Sequence, residues 1–487
     1  MSVIRNPLVI TRPIYSSQEK CGYCDGKKKD PFALESQNDK DTEEDWIAQS
    51  TSIGVSVELM TAEHYDSFIN QGFRRSGTYL YKPDPIRGCC RLYTIRTNYQ
   101  HLNIIKKHRQ VINRFIRAIS PEEIVSEQSS STKKNGAFRL ESLLEAEQNC
   151  DKSIFYTRYE PSHFSKEKFE LYKKYQIAVH NDDPDEITKE SFKRFLCDSP
   201  FPEPEIEGTK PQWDKLNNWV KNWNPNESSS TSTKRIGPTH ECYYYKQKLI
   251  AISVLDFLPS GLSSIYFIWD PDYAHLSLGT LSGLREILMC KELNLGYYYL
   301  GFYIEDCEKM VYKRRFGGEI LDLANETYIP FETFDKFASG NGRYICFGKD
   351  TEREPEILKL GHPSNLNESS QLKLPLQNIA SDIYKFGSTS YKLANESLEQ
   401  AQKRFKLKKQ KQEHFIIPPM VPGLIPYWQL LSLSNEIDHM NVNIFQMMYS
   451  NMIEDEFKEL DGDKKSIILD CVRLFGIEQV SKAIILV

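Results

Sequence analysis

The sequence predicts a mixed α/β (α+β) protein in which a small N-terminal metal-binding module precedes a larger domain with helical additions. Between about residues 240 and 350, apolar runs follow the order strand, turn, strand, helix, strand. Near the start of the chain, cysteines occur as one C-x-x-C and one adjacent pair. Of 487 residues, 40% are hydrophobic and 12% aromatic. That content can bury a sizeable core, which excludes a disordered tail protein.

Charge and hydropathy exclude further classes of protein. The formal net charge is −5, from 62 basic and 67 acidic residues, which argues against a generally basic surface for nucleic acid but allows a local basic patch. Mean hydropathy is −0.53, and no apolar run reaches the roughly 18 to 20 residues that a membrane span needs. The first residues lack a charged lead followed by an apolar stretch. The sequence therefore predicts neither a membrane span nor a secretory signal.

Residues 1–120 are expected to form the first domain. A helix is predicted to begin at Thr61 and to bury Tyr65, Phe68 and Ile69 on one face. The run YLYKPDPIRGCCRLYTIR predicts a turn that leads into a strand. Apolar positions between 104 and 119 predict an amphipathic helix. Its basic face contains Lys106, Lys107, His108 and Arg109.

The rest of the chain divides into three segments. Residues 121–150 are polar and low in complexity, which predicts a linker. Residues 151–350 are expected to form the second domain, with helices over 161–197 and a hairpin whose turn is Lys246 and Gln247. Residues 351–487 are predicted to be a mostly helical C-terminal extension, which carries a basic stretch at 403–412.

The N-terminal cysteines predict a metal site formed by Cys21, Cys24, Cys89 and Cys90. A C-x-x-C turn brings two thiolates to the same side. Consecutive extended residues point to opposite faces, so one of Cys89 and Cys90 is expected to be a bystander. His101 is then the natural fourth ligand of a Cys3His zinc site. An iron–sulfur cluster is the competing use of four thiolates, and four unrelated thiols are the alternative without a metal.

The loop LSLGT opens the long helix of the second domain. The first amides of a helix lack partners within it and carry partial positive charge, so they can bind a phosphate or a developing oxyanion. Ser277, Gly279 and Thr280 would let those amides point outward, although such residues at a helix start are more often only caps.

Charged residues lie near this helix start in the sequence. Asp256, Asp270, Asp272 and His240 form a candidate acid/base set, although each alone is typical of a turn. Asp256 interrupts an apolar strand, where an unpaired carboxylate is costly to bury. A basic cluster follows, which is either a solvated face or a pocket for a carboxylate or phosphate. Its members are Lys309, Lys313, Arg314 and Arg315.

Several passages resemble the arginyl-tRNA–protein transferases of eukaryotes, of the fungal type. They are CGYCDG, RGCCR, LYKKYQIAVH and the uninterrupted block at 248–313, which includes LDFLPSGLSSIYFIWDPDYAHLSLGT. The resemblance implies an acetyltransferase-like (GNAT) fold. It also implies transfer of arginine from arginyl-tRNA to the α-amino group of proteins that begin with Asp, Glu or oxidised Cys. The product would enter the N-degron pathway of ubiquitin-dependent proteolysis.

The chemistry of that reaction suggests roles for the candidate residues, which are hypotheses. The acyl ester is already activated, so neither ATP nor coenzyme A is expected, and the tRNA end would dock at the LSLGT turn. Asp256 and His240 would hold or deprotonate the acceptor amine, whose unperturbed pKa is near 8. Asp270 or Asp272 would accept the arginine side chain, and the basic cluster at 309–315 would select an acidic first residue. Three tyrosines are expected to line the cleft: Tyr266, Tyr273 and Tyr299.

The expected partners are arginyl-tRNA and acidic protein N-termini, without a membrane, for a monomer in the cytoplasm or nucleus. Because tRNA is a polyanion, Lys106, Lys107, Arg109 and the 403–412 run are candidate contacts to its backbone, with a solvated surface as the alternative. Two other functions stay open at this point. One is a metal-finger adaptor that binds degradation substrates without catalysis, and the other is a small-molecule acetyltransferase.

Overall fold

The computed structural model describes residues 7–18, 21–24, 50–120, 138–226, 234–338, 343–348, 377–385 and 387–487. The chain divides into two compact units. Unit 1 comprises residues 1–95, 302–312 and 319–487, and unit 2 comprises residues 96–301 and 313–318. Both ends of the chain therefore belong to the same unit.

The strands of the described residues are, in chain order, β1 (Val9–Thr11), β2 (Ile14–Gln18), β3 (Ser50–Leu59), β4 (Arg74–Ser76), β5 (Tyr79–Pro83), β6 (Tyr93–Thr97), β7 (Phe155–Pro161), β8 (Gly237–Tyr245), β9 (Lys248–Leu258), β10 (Gly261–Trp269), β11 (Tyr297–Tyr303), β12 (Glu319–Asp322), β13 (Thr327–Pro330), β14 (Phe347–Gly348), β15 (Gln377–Asn378), β16 (Asn441–Gln446), β17 (Asn451–Glu456) and β18 (Ile484–Leu486).

The α-helices are α1 (Ala62–Ile69), α2 (Lys106–Ile119), α3 (Ser142–Gln148), α4 (Lys166–Tyr175), α5 (Lys189–Phe192), α6 (Glu203–Glu207), α7 (Lys210–Asn217), α8 (Leu278–Glu292), α9 (Glu308–Val311), α10 (Phe331–Phe334), α11 (Ala380–Tyr384), α12 (Thr389–Arg404), α13 (Tyr427–Ser432), α14 (Ser434–Asp438), α15 (Gly462–Phe475) and α16 (Ile477–Lys482). Short π-helical turns follow α4 and α5, and a 3₁₀ turn (Pro271–Leu276) precedes α8.

Unit 1 is built on a sheet of order β17-β16-β18-β1-β3-β5-β4, with β2 also paired to β3. Strand β18, at the C-terminal end of the chain, lies parallel to β1 at the N-terminal end. Helix α1 begins where the sequence predicts, because two hydrogen bonds cap it. The His64 amide donates to the Thr61 hydroxyl, and the Thr61 amide donates to the His64 side chain. Phe68 of α1 packs against Phe475 of α15, with ring centroids 5.1 Å apart.

Unit 2 contains strands in the order β11-β10-β9-β8-β7, of which β7 to β10 are antiparallel. Both faces of β9 are covered. Ser253 donates to Glu286 of α8, whereas Ile252 and Val254 join an apolar core with residues of α4. Because both faces are buried, the sequence of β9 is a nearly continuous apolar run and does not alternate between apolar and polar residues.

The structure confirms the mixed α/β class and most of the predicted elements. The β8–β9 turn consists of Lys246 (φ 48°) and Gln247 (φ 64°), the backbone that two-residue hairpins favour. Two segments differ from expectation. Helix α3 lies within the predicted linker, whose residues 121–137 lie outside the described part of the chain, and the C-terminal extension supplies strands β16 to β18. The predicted division into domains stays a prediction.

Candidate functional site

Four thiols converge in unit 1. The Sγ atoms of Cys21, Cys24, Cys89 and Cys90 all lie within 4.8 Å of one another. The Sγ–Sγ distance is 3.8 Å for Cys21 and Cys90, and 3.5 Å for Cys24 and Cys89. Cys24 is half-buried and the other three are buried. Two sulfurs bound to one tetrahedral zinc ion lie about 3.8 Å apart, so this donor set fits a thiolate-bound metal.

A bend at residues 88–90 explains why both adjacent cysteines join the group. The Asp84 carbonyl accepts the amide of Gly88 (3.0 Å), and Asp84 Oδ1 accepts the amide of Ile86 (3.1 Å). Because the chain is bent there, the two side chains need not point to opposite faces. The expectation that one of the pair is a bystander is therefore not met. The structure does not bring His101 into the group, which within the described residues contains four thiols and no histidine.

Hydrogen bonds inside the cluster favour a thiolate. The pKa of Cys21 is lowered to about 2, because its hydrogen bonds with Cys89 and Cys90 stabilise the thiolate, and the hydrogen bond with Cys21 raises the pKa of Cys89 to about 12. Cys307 packs beside the cluster, and its thiol donates to the Tyr23 carbonyl (3.7 Å). Thiolate is the form that binds metals, so the group is prepared for a soft ion.

In unit 2, the parallel strands β10 and β11 part after a short ladder. The paired residues are Gly261–Ser263 and Tyr297–Tyr299. Beyond them, β10 has a register shift against β9 between Ser264 and Tyr266. Such a bulge bends a strand. Helix α8 follows the end of β10, and a Cβ at Gly279 in its first turn would lie 3.7 Å from Phe267, on the part of β10 beyond the ladder with β11.

The start of α8 presents backbone amides. Ser277 is left-handed (φ 53°), and its carbonyl accepts the amides of Thr280 (3.0 Å) and Leu281 (3.1 Å). The amides of Leu278 and Gly279 have no hydrogen-bond acceptor among the described residues. These two donors, with the positive end of the helix dipole, form a local anion-binding arrangement.

Helix α2, which carries the predicted basic residues, contacts this turn through Arg114. Lys106, Lys107 and Arg109 are exposed in its first turn, while Val111 and Phe115 are buried. Further along the same helix, Arg114 Nη2 donates to the Ser277 hydroxyl (3.2 Å). The sequence predicted the helix, but it gave no signal that Arg114 would meet the LSLGT turn.

A buried network fixes α8 in place. Arg285 is fully buried and donates to Glu147 (Nε–Oε1 2.8 Å), to the Tyr159 hydroxyl (2.9 Å) and to Glu241. Next to it, Glu286 accepts the hydroxyls of Ser253 and Ser282, each at 2.6 Å. Burial, and then the charge of Glu241, raise the pKa of Glu286 to about 7. Such networks specify position more than they stabilise.

Asp270 and Asp272 lie at the α8 end of β10, but lysines already hold them. Lys174 donates to Asp270 (2.5 Å) and to Asp272 (2.6 Å), and Lys248 donates to Asp270 (2.7 Å). Burial alone would raise the pKa of Asp270, but these hydrogen bonds outweigh it and lower that pKa. The Asp272 side chain is 65% exposed and that of Asp270 only 2%. Only Asp272 is therefore open to a ligand.

Asp256 and His240 lie away from the α8 turn, and both are fully buried. Lys168 Nζ donates to His240 Nδ1 (3.0 Å), and His240 Nε2 donates to the Leu196 carbonyl (2.9 Å). Asp256 pairs with Ser263, six residues before Trp269 on β10. At 3.3 Å per residue, Ser263 beside Asp256 and Trp269 at the α8 end of β10 are about 20 Å apart. Their assignment to the acceptor amine stays a prediction without support from this arrangement.

The structure also separates the other predicted residues. Tyr273 lies beside the α8 turn, but the Tyr266 hydroxyl bonds Gln176 (3.0 Å), and buried Tyr299 bonds Ser260 (2.9 Å). Lys309 belongs to unit 1, and the other three cations of the basic cluster belong to unit 2. Of these, Lys313 Nζ lies 3.6 Å from the position that a Cβ on Gly301 would take. Gly301 lies two residues after Tyr299, the last residue of β11 that pairs with β10.

Comparisons with known proteins agree with these features. Residues 19–110 match the family model described as "Arginine-tRNA-protein transferase, N terminus", and residues 167–322 match its C-terminus counterpart. Arginyl-tRNA--protein transferase 1 of Saccharomyces cerevisiae is 39% identical over 501 residues, covering 96% of this chain and 95% of that protein. Arginyl-tRNA--protein transferase 2 of Arabidopsis thaliana is 40% identical over 177 residues, 35% of this chain and 27% of that protein.

A bacterial relative matches a shorter region. Aspartate/glutamate leucyltransferase of Campylobacter jejuni is 39% identical over 87 residues, 18% of this chain and 36% of that protein. The names of these relatives describe the transfer of an aminoacyl group, arginyl in the eukaryotic proteins and leucyl in the bacterial one. The chain belongs to the arginyl-tRNA–protein transferase family, which confirms the resemblance drawn from its motifs. Within the described residues, we find no helix that is both long and apolar enough to cross a membrane.

Proposed function

We propose that the protein transfers arginine from arginyl-tRNA to the α-amino group of proteins that begin with Asp, Glu or oxidised Cys. The observation that carries this proposal is the start of α8. There the amides of Leu278 and Gly279 have no acceptor among the described residues, Arg114 contacts Ser277, and Gly279 approaches Phe267 on the part of β10 that no longer pairs with β11. Family membership and the name of the yeast relative support the same reaction.

The acetyltransferase-like fold is part of this proposal. Its support is the βαβ unit β10–α8–β11, in which parallel strands pair over three residues and a bulge follows in β10. In this arrangement the ester end of the tRNA enters the opening between the strands. The amides of Leu278 and Gly279 then stabilise negative charge on a phosphate or on the tetrahedral oxyanion.

The two substrates need opposite charges in the cleft. We assign Asp272 to the incoming arginine side chain, because it is the more exposed of the two aspartates. We assign Lys313 to the acidic first residue of the acceptor, because its ammonium lies beside Gly301, just beyond the residues that pair β11 with β10. Charge-assisted hydrogen bonds of this kind are the stronger ones.

No buried side chain is needed as a base. The acceptor amine has an ordinary pKa near 8, so a useful fraction is neutral at physiological pH. The arginyl ester is activated, and placing amine and carbonyl together accounts for most of the required acceleration. The neutral amine attacks the ester carbon, the ribose oxygen leaves, and the proton lost from the amine is transferred through water to that oxygen, which becomes the ribose hydroxyl.

We further propose that the cysteine cluster holds a zinc ion or an iron–sulfur cluster. Its support is the set of four thiols with one stabilised thiolate. Cys21, Cys24, Cys89 and Cys90 would be the ligands, and a site closed by four protein ligands is structural. The enzyme would act as a monomer in the cytoplasm or nucleus, and its products would enter the N-degron pathway.

The proposal is tested by arginine incorporation into synthetic peptides. Purified arginyl-tRNA labelled in the arginine is mixed with the protein, without ATP, and with a peptide that begins with Asp. We expect one arginine on the α-amino group, about tenfold less with an Ala peptide and none with an N-acetylated Asp peptide. Retained peptide binding without incorporation would favour a non-catalytic adaptor instead.

A further inference from the structure

A cavity of about 400 Å³ lies in unit 1 between α1 and the segment around α13 to α16. Most of its lining comes from residues 420–436 and 473–479, which lie outside both regions matched by the family models. Its walls are largely apolar, and they include Val421, Leu424, Ile425, Leu433 and Phe475. A volume of this size is typical of small-molecule sites.

The charges that face this cavity are acidic. Glu326, Glu436 and Glu478 line it, and Glu478 also pairs with Lys482. The one cation among the described lining residues is Arg473, and its donors are used by the protein. They reach the Tyr427 hydroxyl (3.2 Å) and the carbonyls of Ile417 (3.4 Å), Pro418 (2.7 Å), Pro419 (3.2 Å) and Ile425 (3.3 Å).

Two residues that line the cavity each carry a buried polar atom without a partner among the described residues. They are the indole Nε1 of Trp428, a donor, and the amide Oε1 of Gln429, an acceptor. Gln429 is 8% exposed. Buried polar groups are nearly always hydrogen-bonded, and an unpaired one is costly. Both atoms are covered by protein, so the two side chains must rotate before the carbonyl and the N–H of a ligand can bond to them.

We propose that this cavity binds a small organic cation with a bulky apolar body and an amide-like carbonyl, of about the size of an amino-acid amide. The apolar walls take the body, the glutamates take the positive charge, and the Trp428 and Gln429 side chains take the carbonyl and the N–H. Anions of the same shape are disfavoured, since no uncommitted cation among the described lining residues faces the cavity.

The test uses the full chain and two fluorinated probes observed by ¹⁹F NMR. The probes, 5-fluoro-L-tryptophanamide and N-acetyl-5-fluoro-L-tryptophan, share a ring and a carbonyl, but the first is a cation and the second an anion. We expect the cation to bind with a dissociation constant below about 1 mM, and the anion at least tenfold more weakly. Equal binding of the two, or no binding of the cation, would overturn the proposal.

Variants of the lining locate the binding. Ser67→Phe, on the α1 side of the cavity, should fill it and lower the affinity at least tenfold, and Glu436→Gln should lower it about threefold. Glu454→Gln, an exposed acid on β17 that does not line the cavity, is the matched control and should bind as the wild type does.

Gln429→Leu separates a binding role from a purely structural one. The change removes an unpaired buried acceptor, so the melting temperature of the free protein should rise by about 1–2 °C while the affinity for the cation falls. Unchanged affinity in both Ser67→Phe and Glu436→Gln would place the probe elsewhere and contradict the inference, even if the cation binds.

Discussion

Lys313 carries the charge that we assign to selection of an acidic first residue. Lys313→Met should raise KM for a peptide that begins with Asp about tenfold, equal to about 1.4 kcal/mol, with kcat within twofold. Lys313→Arg should retain most of the affinity. Lys189→Met, which removes an exposed lysine of α5, is the control. Steady-state kinetics at varied peptide concentration measure both constants. An equal rise of KM in Lys189→Met would show that Lys313 has no specific role in selecting the first residue.

Glu286 makes stability depend on pH. Its pKa in the folded protein is about 7, above its ordinary value of 4.5, so the folded state keeps a proton that the unfolded state has lost between these values. Stability therefore falls as pH rises through this window, by about 3 kcal/mol in total. Glu286→Gln should remove this loss. The difference in melting temperature, variant minus wild type, should therefore be larger at pH 8.5 than at pH 5. The same difference at both pH values would contradict the raised pKa of Glu286.

Single residues also show where the sequence is insufficient. The candidate acids were chosen because they are close in sequence, but Asp256 and Asp270 lie at opposite ends of the sheet. Lys174 lies almost a hundred residues before Asp270 in the sequence, and still forms the shortest contact to it. Charge partners across a fold leave no local pattern, so neither Lys174 nor Arg114 could be predicted as part of the site.

At the scale of the element, the N-terminus of α8 is the feature to test. A Cβ at Gly279 would meet only Phe267, at 3.7 Å, so a side chain fits there. Gly279→Asp places a negative charge in the first turn, which favours the helix by about 0.3–1 kcal/mol but repels a phosphate or oxyanion. We expect an unchanged or higher melting temperature and at least a tenfold loss of arginine transfer.

Gly279→Ala is the matched control for this change, since it adds a side chain without a charge. Its transfer rate should stay within about threefold of the wild type. If both variants lose activity equally, the space at Gly279 matters and its charge environment does not, and the anion-binding role of the turn would be wrong.

Helix α2 is the second element with a testable role. Replacing Lys106, Lys107 and Arg109 by Gln should raise KM for arginyl-tRNA and lower the slope of log KM against log salt by about 2. The control is a triple variant of the other basic run with the same loss of charge. It replaces the exposed residues Lys403, Lys409 and Lys411 by Gln. A larger effect of the control triple would assign the tRNA contact to that run.

Elements with a clear periodicity were predictable. The helices at 62–69 and 106–119 bury apolar residues at helical spacing, and the β8–β9 turn follows from two adjacent polar residues between apolar runs. Strands β16 to β18 were not predicted, because they are short and gain their stability from neighbours such as β1. A segment of that kind has no strong local signal.

At the scale of the whole molecule, the cysteine cluster joins segments that are 65 or more residues apart in the chain. A metal held by four thiolates should therefore stabilise unit 1, because ligand binding to the folded state favours folding. Cys24→Ser should lower the metal content per chain and the melting temperature, whereas Cys346→Ser, a buried cysteine outside the cluster, should keep the metal.

Metal analysis and absorbance spectra of protein purified without oxygen provide both readouts. Zinc without visible absorbance, or iron with it, identifies the group. A metal content that is equal in the wild type and in Cys24→Ser would show that the thiols do not hold it.

The central claim is that the end of arginyl-tRNA lies where β10 and β11 part and α8 begins. The most direct measurement is photocrosslinking with arginyl-tRNA that carries 8-azidoadenosine at its 3′ end, followed by mapping of the modified peptide. We predict crosslinks within residues 264–280 or 299–301, competed by unmodified arginyl-tRNA and reduced by Gly279→Asp. Competed crosslinks confined to other parts of the chain would contradict the account.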